Sequence, residues 1–233
     1  SFTSSYEDDL NQIDERYLWD AAWNTPKSSS FSSLLPVFDS TTSLATRQVI
    51  QKAFDASLPA LPGLIAGSAD LTGNTGTKLS KQVAQSSNAP DGRQIYFGIR
   101  EHAMGAAVVG MALHGGVLPV CGTFFVFADY MRPAIRLAAL SRARTVFVFS
   151  HDSVGVGEDG PTAQMIVDIA YMRAIPNMIV VQPADWEETV QATRALAEHE
   201  GPAYFRLGRP KVTGIFDSTY KFEIGKGRVV KKG

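Results

Sequence analysis

Gly98-Ile99-Arg100-Glu101-His102-Ala103-Met104-Gly105 is the stretch whose reading decides the fold class of this 233-residue chain. Just before it, Ile95 to Phe97 reads as a short apolar strand. From about Glu101 to His114 small and apolar residues run on as a helix, so a carboxylate stands where a strand passes into a helix. The same alternation recurs outward. Leu64-Ile65-Ala66, Val117 to Val120, Thr145 to Ser150, Met178 to Gln182 and Ala203 to Leu207 read as strands. Helices are predicted around Leu44 to Phe54, over Phe124 to Leu140, over Ile166 to Arg173, and from about Trp186 to Glu198 with Asp185 as N-cap. Strands alternating with helices predict an α/β fold with a mostly parallel sheet and helices on both faces. In such sheets the chemistry sits in loops beyond the carboxyl ends of the strands.

The second informative loop follows the strand at 145–150: His151-Asp152-Ser153-Val154-Gly155-Val156-Gly157-Glu158-Asp159-Gly160-Pro161-Thr162. Its Gly155-to-Gly160 run matches G-x-G-x-x-G, but a dinucleotide reading fails on three counts. Glu158 and Asp159 would repel a pyrophosphate, Pro161 stands where the helix should already be running, and the first glycine lies five residues past the strand. The glycines instead let the backbone pass close to a small ligand. Phe124, Phe127 and Tyr130 recur at i, i+3 and i+6, close to one helical face, which is either ordinary core or an aromatic wall for a flat heterocycle. Glu101 alone could be a helix-end carboxylate favoured by the dipole, and His102 and His114 read as structural or solvent-facing. No His, Cys, Asp or Glu set has metal-ligand spacing, so no metal site is expected on this chain.

Composition narrows the class. With 45% apolar and 19% charged residues and a net charge of −1, the chain is globular and shows no nucleic-acid footprint. No apolar run approaches the roughly 18 residues of a membrane span. The single cysteine, Cys121, excludes an internal disulfide and fits a reducing compartment, so a cytoplasmic location is expected. The amino terminus lacks a secretory layout and an initiator Met, which reads as a processed chain or a fragment. Residues 1–42 form a lead-in with an acidic start. Tyr17, Leu18, Trp19, Ala22 and Trp23 crowd one side of it to dock on a domain face, and Pro26 to Ser30 serves as linker. Residues 43–210 form the domain, and 211–233 read as a connector toward a further domain.

Taken jointly, Gly67-Ser68-Ala69-Asp70-Leu71-Thr72, the Gly98 to Gly105 run, Gly122-Thr123-Phe124, the His151 to Thr162 loop, Pro176-Asn177 and Arg206-Leu207-Gly208-Arg209 resemble the transketolase family, over about Ala45 to Pro210. The segment is similar to that family's middle, pyrimidine-binding domain of the thiamine-diphosphate-binding fold. The resemblance implies a glycolaldehyde transferase of the pentose phosphate pathway that moves a two-carbon ketol unit between sugar phosphates. It implies that Glu101 bonds N1′ of the aminopyrimidine and favours the imino tautomer that takes the thiazolium C2 proton. It places Asp70 near the cofactor and Phe124, Phe127 and Tyr130 around the pyrimidine. His151, a second catalytic residue, and Asp159 would bond the donor sugar's hydroxyls. Arg47 and Arg209 would face the sugar phosphate, and Asn74, another substrate-binding position, stands where the family usually has Ser.

The resemblance also implies that diphosphate and a divalent metal, Mg2+, bind through a Gly-Asp-Gly…Asn motif on another domain. This chain contains no Gly-Asp-Gly, so it should supply half a site, be inactive alone and work with a diphosphate-binding domain or subunit, as a homodimer. The chain departs from the family at Ala163, where a substrate-phosphate histidine is usual, at Cys121, where a glycine is usual, and over Ser68 to Pro90, which follows it only at the start. Two alternatives stay open on the residues: a dihydroxyacetone synthase-like transferase, and a non-catalytic binding module that kept the fold.

Overall fold

The computed structural model describes residues 16–24, 32–39 and 41–232; the acidic start and the linker expected at 26–30 lie outside them. In chain order the elements are helix α1 (Arg16–Trp23), a 3-10 turn (Ser32–Leu34), β1 (Ser43–Ala45), α2 (Thr46–Ser57), β2 (Leu64–Ser68), the one-turn α3 (Thr72–Thr75) and β3 (Gln94–Tyr96). Then follow α4 (Glu101–His114), β4 (Leu118–Phe124), a 3-10 turn (Phe125–Phe127), α5 (Ala128–Leu140), β5 (Val146–Ser150) and a 3-10 stretch (Val154–Asp159). The last are α6 (Asp168–Arg173), β6 (Ile179–Val181), α7 (Trp186–Glu198), β7 (Ala203–Leu207) and β8 (Lys211–Thr213).

A six-stranded sheet in the order β3-β2-β4-β5-β7-β6 carries the domain, and all of its pairings are parallel. Its central strands are buried on both faces, as parallel strands covered by helices must be. The period of two divides them cleanly. Val146 and Val148 of β5 point with Phe205 of β7 into a core closed by Ile50 and Phe54 of α2 and Leu196 of α7. Phe147, Phe149 and Tyr204 point the other way, onto Met104 and Val108 of α4 and Met131 and Ile135 of α5. Gly122 does not end β4, which runs on to Phe124. A side chain there would lie 2.6 Å from the Thr75 hydroxyl, so the glycine lets the α3 turn settle against the strand.

Two features lie outside the regular pattern. The periodicity lapses after Pro210, yet Lys211–Thr213 forms β8, antiparallel to β1 through Leu44↔Val212. With one apolar residue in three, the segment has no local period to reveal it. The backbone N–H groups of Ile215 (2.6 Å) and Phe216 (2.8 Å) then donate to one oxygen of Asp185, whose other oxygen caps α7 by accepting from Glu188 N–H at 2.9 Å. Asp185 is fully buried, so Asp185→Ala should strand three donors. A loss of about 2 kcal/mol in denaturant unfolding is expected, and an unchanged midpoint would refute this account of the cap. At the opposite end, α1 meets the domain through Trp23, while Tyr17 and Trp19, expected on the same docking side, stay exposed. Trp23 covers Gly115 and Gly116 so closely that a side chain at Gly115 would strike the indole, and its ring lies 5.9 Å from that of His114.

Candidate active site

Every side chain singled out along the sheet follows the carboxyl end of a strand: Asp70 after β2, Glu101 after β3, Phe124 at the end of β4, His151 after β5 and Arg209 after β7. Because β3 and β4 lie on opposite sides of β2, the chain reverses direction across the sheet there, and a crevice opens at this switch point. It holds a cavity of about 490 Å³ lined by Ala69, Asp70, Leu71, Ile99, Glu101, Phe127 and Tyr130. Asp70, Glu101, Phe127 and Tyr130, scattered over sixty residues of sequence, therefore share one cavity. Phe124 stands just behind it.

Glu101 is the first residue of α4 and is buried. Among the described residues nothing hydrogen-bonds its carboxylate, which lines the cavity. The α4 dipole favours its charge, and a carboxylate with no protein partner is free to accept from a donor placed in the cavity. That arrangement suits a ring nitrogen carrying a proton. Asp70, held at φ 65°, closes another side of the cavity.

The three aromatic residues form a row, though not along one α-helical face. Phe124 ends β4, Phe127 ends the 3-10 turn and Tyr130 belongs to α5. Side chains at i and i+3 eclipse in 3-10 geometry, and this produces the stacking. Phe124 and Phe127 are 6.1 Å apart at 11°, and Phe127 and Tyr130 are 6.5 Å apart at 25°. The row continues into His151, whose ring lies 3.8 Å from Phe124 at 19°. His151 is buried, left-handed at φ 56°, and its Nδ1 is 2.9 Å from the Ser150 hydroxyl. Burial, reinforced by Arg47, lowers its pKa to about 4 against the opposing charge of Asp159. At neutral pH it is an uncharged imidazole.

Beyond His151 the site is cationic. Burial and the charge of Arg209 both hold Arg47 below its usual range, so the two guanidinium groups feel each other. Arg47 donates from Nη1 to the main-chain carbonyl of Asn74 at 3.2 Å, while its Nε is buried without a partner. Asn74 thus enters the site through its backbone carbonyl. Arg209 is paired with the exposed Glu158. Gly157 and Gly160, at φ 76° and 75°, give the acidic loop the turns that leave Glu158 and Asp159 at the surface. Ala163 is buried.

One group was not legible as functional in the sequence. Asp152, next to His151, turns away from the cavity and accepts two hydrogen bonds from Arg206, at 2.8 Å from Nε and 2.7 Å from Nη2. Asp168 lies 2.5 Å from the same Nε. Burial pushes Asp152 up to about 6 despite Arg206, and the Asp168 charge adds to the rise. The only sequence signal was an arginine inside an otherwise apolar strand. Among the described residues no cluster of His, Cys, Asp or Glu could hold a metal ion, and no helix is long and apolar enough to cross a membrane.

The family described as "Transketolase, pyrimidine binding domain" matches residues 42–214. A transketolase of Treponema pallidum is 47% identical over 204 residues, covering 85% of this chain and 31% of that protein. A transketolase from Pichia stipitis in complex with sedoheptulose 7-phosphate superimposes with a TM-score of 0.82 at 34% identity, over 91% of this chain and 32% of that one. A split-gene transketolase described as an inactive β4 tetramer gives a TM-score of 0.68 at 31% identity, over 82% of this chain and 59% of that one. The chain spans about a third of the length of the first curated relatives it matches. The parallel sheet that carries these strand ends thus has its counterpart in known structures, and the chain belongs to the transketolase family, as its pyrimidine-binding domain.

Proposed function

We propose that this chain is the pyrimidine half of a thiamine-diphosphate-dependent transketolase, inactive by itself and completed by a diphosphate-binding domain or subunit that also holds Mg2+. The observation that carries the reading is the Glu101 carboxylate, without a hydrogen-bond partner among the described residues, on the wall of a cavity that Phe127 and Tyr130 also line. When bound, thiamine diphosphate supplies the carbanion chemistry of ketol transfer, and the protein orients and polarises it. Glu101 would hold a proton at the pyrimidine N1′. Phe127 and Tyr130, backed by Phe124, would stack on the ring and keep water out, with Asp70 bounding the cavity. Neutral His151 and Asp159 would orient the hydroxyls of the donor sugar. Arg47 and Arg209 would draw its phosphate, with the Asn74 carbonyl steadying Arg47. The dihydroxyacetone synthase-like and binding-module readings have no comparable support, since the relatives are transketolases.

A partner surface supports the incompleteness. The sequence of α4 is apolar on all sides, and such a helix is built to be covered. Here Ile99, Leu113, Leu137 and Leu140 remain exposed around it and on α5. We assign this face to the diphosphate-binding partner in a homodimer. The single buried thiol, Cys121, whose pKa burial raises, fits the reducing cytoplasm.

The test is to mix the chain with a transketolase diphosphate-domain polypeptide, thiamine diphosphate and magnesium, and to assay transfer from xylulose 5-phosphate to ribose 5-phosphate. Activity in the mixture and in neither part alone is expected. Turnover by the chain alone, or silence despite demonstrated assembly, would refute the proposal. In the assembled enzyme Glu158→Gln should release Arg209 and lower KM for phosphorylated donors about two- to fivefold, the range of an exposed ion pair. Erythrulose, which has no phosphate, should be unaffected. Equal changes for both donors would exclude competition between Glu158 and the phosphate.

A further inference from the structure

The loop from Ser153 to Val167 leaves the sheet after Asp152 and returns at Asp168, the first residue of α6. Arg206 touches both of those residues. It stands on β7 opposite Phe149 of β5 and faces the same side as Tyr204, which brings its guanidinium beneath the point where the loop departs. We propose that Arg206 is a positioning residue that clamps the two feet of this loop, and so holds His151 against Phe124 and Asp159 beside the donor site.

Three observations carry this. First, the backbone at the near foot is strained: His151 is at φ 56° and Ser153 at φ 59°. Residues in that region persist where their surroundings over-determine them, and the fork from Arg206 to Asp152 lies between the two. Second, the cluster is poorly explained as a stabilising device. Two carboxylates share one guanidinium in a buried place, and buried ionic groups can commonly be replaced by apolar ones of similar size without loss of stability. What an apolar replacement cannot do is fix the direction of two chain segments at once, as a planar fork with fixed donors does. Third, among the described residues the other ties on this loop are few: the backbone bond from Ser153 N–H to the Met165 carbonyl at 2.7 Å at the neck, and further out a long 3.5 Å bond from Gln164 Nε2 to the Gly157 carbonyl and the exposed Glu158–Arg209 pair.

Two measurements separate positioning from plain stability, and the first needs no catalysis. In Arg206→Gln, hydrogen exchange of amides in residues 153–165 should accelerate about tenfold or more while those of β4 and α4 keep their rates, the signature of local opening. Should Arg206→Gln not fold, the charge-neutral triple variant Asp152→Asn, Arg206→Met, Asp168→Asn replaces it. The triple variant should melt within a few degrees of the parent and still show the loosened loop. Loop exchange unchanged in a folded variant, or faster only in step with the whole domain, would overturn the clamp.

The second arm rests on the ketol-transfer reading and uses the reassembled enzyme. KM for xylulose 5-phosphate should rise about tenfold with a smaller change in kcat. Arg206→Lys, which keeps the charge but not the fork, should recover only part of the loss. A loosened loop with unaltered KM would remove the positioning role. If the parent chain itself fails to support ketol transfer, the proposed function falls and the exchange result still decides the clamp.

Discussion

Glu101→Gln is expected to lower kcat for ketol transfer in the assembled enzyme by about 10²- to 10⁴-fold, the usual worth of a well-placed proton-transfer group. Glutamine keeps the volume of the side chain and leaves the cavity between Asp70, Phe127 and Tyr130 intact. It cannot carry the negative charge that α4 favours at its first turn, nor can it hold a proton at a ring nitrogen. Binding of thiamine diphosphate, followed separately by calorimetry, should weaken far less, because the aromatic walls are untouched. The signature is therefore a fall in kcat at near-constant cofactor affinity. Activity within threefold of the parent would show that the partnerless carboxylate has no part in the chemistry.

The second large effect is on stability as pH falls. His151 has a pKa of about 4 in the folded chain, against roughly 6.5 for an unperturbed histidine. Between those values the unfolded chain binds a proton that the native chain refuses, so stability rises with pH across this window. The contribution is complete above pH 6.5 and is lost as pH falls toward 4, by about 3 kcal/mol in all. Asp152 acts with the opposite sign. Its folded value of about 6 lies above the ordinary 3.8, so the native state takes up the extra proton between 6 and 3.8 and gains relative stability on acidification. The parent protein alone therefore shows only the balance. His151→Gln isolates the histidine: its unfolding free energy, measured in urea at pH 7 and pH 4, should change about 3 kcal/mol less than the parent's. Equal changes in the two proteins would mean that His151 titrates normally and is not held neutral between Phe124 and Arg47.

What the sequence could determine is whatever a short window encodes. Helix α4 from Glu101 to His114, helix α7 from Trp186 to Glu198 with its Asp185 cap, and strand β7 all begin and end where periodicity and capping chemistry place them. The strand-end positions of Asp70, Glu101, Phe124, His151 and Arg209 were legible too, because each follows or closes a strand that a short window encodes. The tertiary structure alone decided how those ends meet. Strand β8 pairs with β1 across almost the whole domain, with no local period to announce it. The aromatic row exists because one turn of 3-10 helix intervenes between a strand and a helix, which spacing by itself does not distinguish from an α-helical face. Asp152 stands next to His151 in the sequence, yet Arg206, 54 residues away, draws it aside. Local pattern reflects which face of an element is apolar. Which charged groups share a buried point depends on strand order in the sheet, and that order is set by long-range packing.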